Sequence, residues 1–244
     1  MGDARARTME LIADLSDQQL VGPRLNTVNP LLWEVGHLAW FQERLVLRQA
    51  CGEPPIRPDA DAIWDSGAIP HDTRWRLMLP SRDETLGYVQ EVRDRVIDRV
   101  LGAGDNDVIL HFAHYTVGHD DMHTEAITYT RQTLGYPPPT LRHLPTVEPA
   151  EVRRGSPAGD VEIAGGAFLL GAVRREPFVF DNEKWAHLVR VEPFAMSRTP
   201  VTQAEFAAFV DDDGYRRPEL WGDEGWSWRA RAAAEHPVYW RREG

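Results

Sequence analysis

The chain has 244 residues and a mass of 27.7 kDa, which is long enough for two domains or one large one. Hydrophobic residues make up 42% of it and charged residues 27%, and no run approaches the roughly 18 apolar residues of a membrane span, so disorder and membrane insertion are excluded. The net charge of −11 argues against nucleic acid as a partner, and the single cysteine, Cys51, excludes disulfides and cysteine-ligated metal sites. With no visible signal peptide, these features predict a cytoplasmic protein.

Up to about Pro137 the apolar residues recur at intervals of three and four, which is the spacing of amphipathic helices. Four helices are predicted: near residues 11–20, from an Asn29-Pro30 cap through Leu45, from a Ser81 cap through Val100, and over 108–134. The Pro- and Gly-rich residues 52–80 form a long ordered connection, whose length indicates a function. Four helices with one long crossover predict an antiparallel bundle, and the cores of such bundles often hold metals.

The second half of the chain has a different pattern. Residues 145–159 contain Pro, Gly, Arg and Glu without periodicity, which is typical of a linker. Strands are predicted within 161–171 and 187–194, and a short helix over 202–210. The predicted organisation is therefore α+β, with a helical domain at 1–144, a linker at 145–159 and a mixed domain at 160–244.

Two histidines of the last predicted helix lie four residues apart, so their side chains project from one face about 40° apart. His119 and His123 can therefore share one metal ion, whereas Glu125 points nearly to the opposite side. The third ligand is predicted to be His37, which lies among apolar and aromatic residues of the second helix; the alternative is a core histidine bonded to a carbonyl. Three neutral imidazoles suit Fe(II), Zn(II), Ni(II) or Cu(II), and spacing alone does not choose among them.

These segments resemble a known family. Trp33-x-x-Gly-His37-x-x-Trp-Phe41 with Gln42-Glu43, followed by His119-x-x-x-His123-x-Glu125, resembles the DinB-like bundle of the ergothioneine-biosynthesis sulfoxide synthases. The second half resembles the opening of a formylglycine-generating-enzyme (sulfatase-modifying-factor) domain, whose fold is C-type-lectin-like. The segments that carry this second resemblance are Ile163–Gly171, Phe180–Glu183, Pro193–Phe206 and Gly214–Trp221.

The resemblance implies a mononuclear non-heme Fe(II) enzyme that uses O2. Such enzymes join a sulfur donor to carbon 2 of the imidazole of hercynine (N-alpha-trimethylhistidine) and oxidise the sulfur to a sulfoxide. By the same resemblance, His37, His119 and His123 are the iron ligands. Glu125 belongs to the family signature, but its position on the helix predicts that it supports the site from outside the ligand set or has a structural role. The family's active-site tyrosine is expected beyond residue 244, so the second domain is expected to be truncated and the catalytic residues to be missing.

The long connection bears on the identity of the donor. Residues 65–75 resemble the loop in which members that use γ-glutamylcysteine place two arginines three residues apart to bind the donor. Arg74 is present here, but His71 stands at the other position, and Met122 stands where those members have Gln. These residues are the predicted substrate-binding set, and the departures favour a smaller or different donor. The selenoneine synthases, which use a selenosugar, are the alternative.

Two other classes of function stay open. Three histidines alone would allow a zinc- or nickel-dependent DinB-like thiol transferase. A truncated second domain would allow an inactive fragment with a binding or scaffold role. In every case we expect small-molecule rather than nucleic-acid or membrane partners, and a monomer.

Overall fold

The computed structural model describes residues 1–142 and 159–241. The chain divides into two compact units, Met1–Thr146 with Glu176–Phe180, and Val147–Arg175 with Asp181–Gly244. The first is helical and the second combines short strands with helices, so the predicted α+β organisation is confirmed. Within the described ranges, no helix is both long and apolar enough to cross a bilayer. The predicted linker at 145–159 lies outside the described residues except for Gly159.

The helical unit is built around four longer helices joined by shorter ones. Within residues 1–142 the α-helices are α1 (Gly2–Ile12), α2 (Asp17–Val21), α3 (Leu31–Gln42), α4 (Ala60–Trp64), α5 (Arg82–Leu101) and α6 (Asp107–Thr133). A π-helical segment, Glu43–Ala50, continues α3, and a 3-10 helix spans His71–Arg76. Helix α3 packs against α5 and α6, and α1 packs against α6, so α1, α3, α5 and α6 form the predicted four-helix arrangement.

Two predictions at the start of the chain are wrong. The single helix near residues 11–20 is two helices, because the Ser16 side chain accepts a hydrogen bond from the backbone of Gln19 and starts α2 with a capping box. Leu15 and Leu20 are buried on both sides of this break, so the apolar spacing did not reveal it. The Asn29-Pro30 pair does not cap α3, since Pro30 is at the N-cap without a side-chain bond.

The third and fourth predicted helices are confirmed. Ser81 caps α5 and forms a capping box with Glu84, and α6 covers Asp107–Thr133. The long connection is ordered, as predicted, because Ala60, Ile63 and Trp64 of α4 are buried in the core of the helical unit. Its fold packs α4 against α3.

Helix α3 occupies the centre of the helical unit. All of its residues except Phe41 are buried, and a helix that is apolar on every side is typical of such a position. Gly36 lets the indole of Trp64 approach this helix, since a Cβ there would lie 2.2 Å from Trp64 Nε1. The charged and titratable residues of α3 are therefore held inside the core, where each needs a partner.

The second unit contains two antiparallel ribbons. Strand β1 (Asp160–Ile163) pairs with β4 (Phe194–Ser197), and β2 (Gly166–Leu170) pairs with β3 (His187–Val191). A 3-10 turn, Asp181–Glu183, lies between β2 and β3. Two helices follow the strands, α7 (Gln203–Asp211) and α8 (Asp223–Ala232), and the 3-10 turns Gly214–Arg216 and Pro218–Leu220 lie between these helices. Strands β1, β2 and β3 and helix α7 agree with the prediction within one or two residues, whereas β4 overlaps the predicted segment 187–194 only at Phe194.

Candidate metal centre

Three histidines from two helices meet at one point in the helical unit. His37 of α3 and His119 and His123 of α6 each offer one ring nitrogen, and these three atoms lie within 4.8 Å of one another. The Nε2 atoms of His119 and His123 are 3.1 Å apart, and the ring centroid of His37 lies 5.1 Å and 5.0 Å from theirs. The structure thus brings together the three histidines that the sequence singled out.

The orientation of His37 is fixed by a backbone carbonyl. Its Nδ1 lies 2.8 Å from the carbonyl oxygen of Trp64, which is 27 residues away in the chain. Because a carbonyl oxygen only accepts, Nδ1–H donates, and in the neutral ring the lone pair is on Nε2. The same residue, Trp64, packs on Gly36, so the close approach described above also sets the position of His37.

The orientation of His123 is fixed by a buried carboxylate. Its Nδ1 is hydrogen-bonded to Oε2 of Glu34, while Oε1 of Glu34 accepts a hydrogen bond of 2.6 Å from the amide nitrogen of Asn29. Burial opposes ionisation of Glu34, but its interaction with His123, together with the hydrogen bond from Asn29, outweighs burial and lowers the pKa of the carboxyl. An ionised carboxylate only accepts, so Nδ1–H of His123 donates, and in the neutral ring the lone pair is on Nε2.

The electrostatics of the cluster keep two of its imidazoles, those of His37 and His119, uncharged. Burial, reinforced by the neighbouring His123, lowers the pKa of His37 to about 4. Burial and the same neighbour, together with His37, lower the pKa of His119 to about 2. Both rings are therefore neutral at pH 7, which is the form of imidazole that binds metals.

Aromatic rings surround the cluster. Trp33 and Trp40 stack on His37 with centroids 4.9 Å and 5.6 Å away, and Phe41 stacks on His119 at 3.8 Å. His119 differs from the other two histidines, because its buried Nδ1 has no hydrogen-bond partner within the described part of the chain. His37 is buried and the histidines of α6 are half-buried, so α6 contributes the solvent-accessible part of the cluster.

The other predicted site residues lie outside the ligand cluster. Met122 is 54% exposed, and Glu125 is exposed on α6, as its helical position predicted. His71 is half-buried and its Nε2 donates to the carbonyl of Val28 at 2.6 Å. Arg74 is buried, and its terminal nitrogens are bonded to protein oxygens. Contact of His71, Arg74 and Met122 with a substrate stays a prediction.

Sequence reasoning missed Glu34, Asn29 and the carbonyl of Trp64. The sequence could have identified Glu34, because it is the one charged residue in the Leu31–Gln42 segment and lies three residues before His37. A carboxylate in so apolar a helix has to be paired inside the protein. The sequence could not have identified the Trp64 carbonyl, since any backbone carbonyl of residues 52–80 could have accepted the hydrogen bond from His37.

Comparison with known families agrees with this architecture. Residues 2–127 match the model of the DinB superfamily. The chain belongs to the DinB superfamily. Residues 145–242 match the sulfatase-modifying factor enzyme 1-like domain, so the DinB domain is followed by a domain of this second type.

Some curated relatives match almost the whole chain, and others match only a short part of it. The hercynine oxygenase of Mycolicibacterium smegmatis is 30% identical over 245 residues, which cover 99% of this chain and 56% of that protein. The hercynine oxygenase of Mycolicibacterium thermoresistibile is 31% identical over 245 residues, with 99% of this chain and 54% of that protein covered. The formylglycine-generating enzyme of Streptomyces coelicolor is 41% identical over 63 residues, 26% of this chain and 20% of its own length. The chain thus spans about half the length of the hercynine oxygenases that it matches.

Proposed function

We propose that this chain belongs to an O2-dependent non-heme Fe(II) enzyme that forms a C–S bond at imidazole C2 of hercynine, with formation of a sulfoxide. The observation that carries the proposal is the cluster of His37, His119 and His123 in a chain that is similar along its whole length to hercynine oxygenases. The reaction balances with one O2: the C2–H and S–H bonds are lost, one oxygen atom enters the sulfoxide and the other leaves as water.

The donor set fits a mononuclear divalent metal. Three neutral imidazoles without a thiolate suit Fe(II) and leave coordination positions open for small molecules. Two of the three rings have Nδ1–H held by the protein and the Nε2 lone pair available, which is the usual arrangement of histidines that bind metals. When bound there, iron supplies a place where dioxygen and the sulfur donor react side by side.

The residues of the chain then have two tasks. His37, His119 and His123 hold the ion, and Glu34 and the Trp64 carbonyl keep two of those rings in the productive tautomer. The rings of Trp33, Trp40 and Phe41 exclude water from the histidines that they cover, so the site has a lower dielectric than the surface.

The identity of the donor substrate and the identity of the metal ion each allow an alternative function. The residues that departed from the sulfur-using pattern, His71 and Met122, favour the selenoneine synthases, in which hercynine and a selenosugar form a C–Se bond. A zinc-dependent thiol transferase is the other alternative, because three imidazoles also bind Zn(II). Neither displaces the proposed oxygenase, since the relatives that match the whole chain are named hercynine oxygenases.

Metal binding tests the proposal directly. The purified chain is loaded anaerobically with Fe(II), the iron content is measured, and hercynine is added while the electron paramagnetic resonance spectrum of the iron–nitric oxide adduct is recorded. We expect about one iron per chain and a spectrum that changes with hercynine. His119→Ala and His123→Ala should each lose the iron, whereas Glu125→Ala, an exposed change on the same helix, should retain it.

Three results would contradict the proposal. Unchanged iron content in both histidine variants would refute the ligand assignment. Zinc retention with thiol alkylation and no iron would favour the transferase, and absence of any metal in the folded wild type would leave the scaffold role.

A further inference from the structure

Arg74 is almost completely enclosed in the helical unit. The residue is 9% exposed and belongs to the 3-10 helix His71–Arg76. One terminal nitrogen donates to Oδ1 of Asn29 at 2.8 Å, and the other donates to the carbonyls of Ser66 and Ile69 at 3.3 Å and 3.2 Å. Its Nε has no partner within the described residues. The guanidinium is thus held mainly by protein oxygens.

A hydrogen-bonded chain leads from Arg74 to His123. Asn29 accepts from Arg74 with Oδ1, so its Nδ2 is free to donate to Oε1 of Glu34. The second oxygen of Glu34 accepts from Nδ1 of His123. A guanidinium only donates and an ionised carboxylate only accepts, so Arg74 fixes the Asn29 amide with Oδ1 towards itself and Nδ2 towards Glu34. This orientation supports the carboxylate that holds His123.

A second contact leads from Arg74 to His37. The guanidinium carbon lies 4.0 Å from the ring centroid of Trp33, a cation–π distance. Trp33 stacks on His37 with an interplanar angle of 8°. The indole nitrogen of Trp33 donates to the carbonyl of Ile63 at 2.7 Å, so this ring is fixed at its edge as well as on its face.

We propose that Arg74 is a positioning residue of the metal centre: through Asn29 and Glu34 it sets the tautomer of His123, and through Trp33 it holds the ring of His37. This inference rests on the proposed metal site. It assigns Arg74 a role different from the direct contact with a sulfur donor that the sequence predicted. The connection between α3 and α5 is then coupled to the metal ligands by this side chain.

The substitution Arg74→Lys separates geometry from charge. Lysine keeps the positive charge near Glu34, but it lacks the planar fork that reaches Asn29 and the backbone carbonyls together. The matched control is Arg76→Lys, an exposed change two residues away in the same 3-10 helix. Asn29→Ala is a second variant, which interrupts the chain of hydrogen bonds and leaves Arg74 with its two backbone acceptors.

The first readout needs no metal. Long-range proton–nitrogen correlation spectra of the metal-free protein with 15N-labelled histidine report which ring nitrogen carries the proton. We expect His123 to be protonated at Nδ1 in the wild type and in Arg76→Lys, and to become a mixture of tautomers in Arg74→Lys and Asn29→Ala. A role confined to binding substrate would leave these spectra unchanged.

The second readout is metal affinity, measured by competition of Co(II) or Fe(II) with a chelator. We expect both test variants to bind about tenfold more weakly, the lower end of the range for groups that orient metal-ligating histidines. Wild-type tautomer and wild-type affinity in folded Arg74→Lys would overturn the inference and leave the metal site in place. If the wild type bound no metal, the proposed function would fail, and the tautomer spectra would still decide whether Arg74 orders the histidines.

Discussion

Replacing Gly36 with alanine tests whether the packing of α3 against Trp64 sets the position of His37. The new Cβ would lie 2.2 Å, 2.3 Å and 2.6 Å from three indole atoms of Trp64, although ordinary contacts begin near 3.4 Å. Trp64 is fully buried and stacks on Tyr88 at 4.9 Å with an interplanar angle of 4°, so it has no free space into which to move. The indole or the helix therefore has to shift by about 1 Å.

The expected cost follows from two opposing terms. Overfilling a packed core lowers the free energy of unfolding by about 1–3 kcal/mol. Replacing a glycine inside a helix with alanine raises it by about 1 kcal/mol. Gly87→Ala on α5 isolates the second term, because Gly87 is exposed in the helix and has no atom within 4 Å of an added Cβ. We expect Gly87→Ala to be more stable than the wild type by about 1 kcal/mol, and Gly36→Ala to be less stable than Gly87→Ala by about 1–3 kcal/mol.

Urea unfolding followed by circular dichroism at the helical band measures both variants under the same conditions. Metal affinity provides a second measurement, because a shift of Trp64 moves the carbonyl that holds Nδ1 of His37. We therefore expect Gly36→Ala, and not Gly87→Ala, to bind Fe(II) or Co(II) more weakly. Equal stabilisation by the two substitutions, with unchanged metal affinity, would refute this account of the contact.

Two further predictions concern buried and half-buried carboxylates. The bidentate hydrogen bond from Arg48 lowers the pKa of Asp61 from 3.8 to about 2, so the stability that this pair contributes is present above pH 4 and is lost as the pH falls towards 2. Asp61→Asn should therefore remove about 1 kcal/mol or less at pH 7, because the carboxylate is half exposed, and the variant should lose less stability than the wild type between pH 4 and pH 2 in urea titrations. Tyr88→Phe removes the 2.6 Å hydrogen bond that Tyr88 donates to the buried Glu43, whose pKa burial has already raised. This variant should be about 1–3 kcal/mol less stable than the wild type at pH 7. Lowering the pH through the pKa of Glu43 protonates the carboxylate, so the difference in stability between variant and wild type should narrow. A difference that stays constant across pH would contradict a hydrogen bond from Tyr88 to the ionised Glu43.

The sequence determined the features that depend on neighbours within one helix. The four-residue spacing of His119 and His123 places both on one face of α6 whatever surrounds it, because helical geometry is local. The Ser81 cap of α5 is equally local, since its partner is three residues away. The sequence also predicted that His37 would be buried, because its neighbours in α3 are almost all apolar.

Tertiary structure decided how two of the three rings, those of His37 and His123, are held. The partner of His37 is 27 residues away and that of His123 is 89 residues away, and neither distance leaves a periodic signal in the chain. Helical periodicity identifies the face that a residue occupies, but it does not identify which carbonyl or carboxylate of another element will face it. That choice depends on how α3, α4 and α6 pack. Gly36 influences it because it lets Trp64 approach α3 closely, and Glu34 influences it because a buried charge needs hydrogen-bond partners.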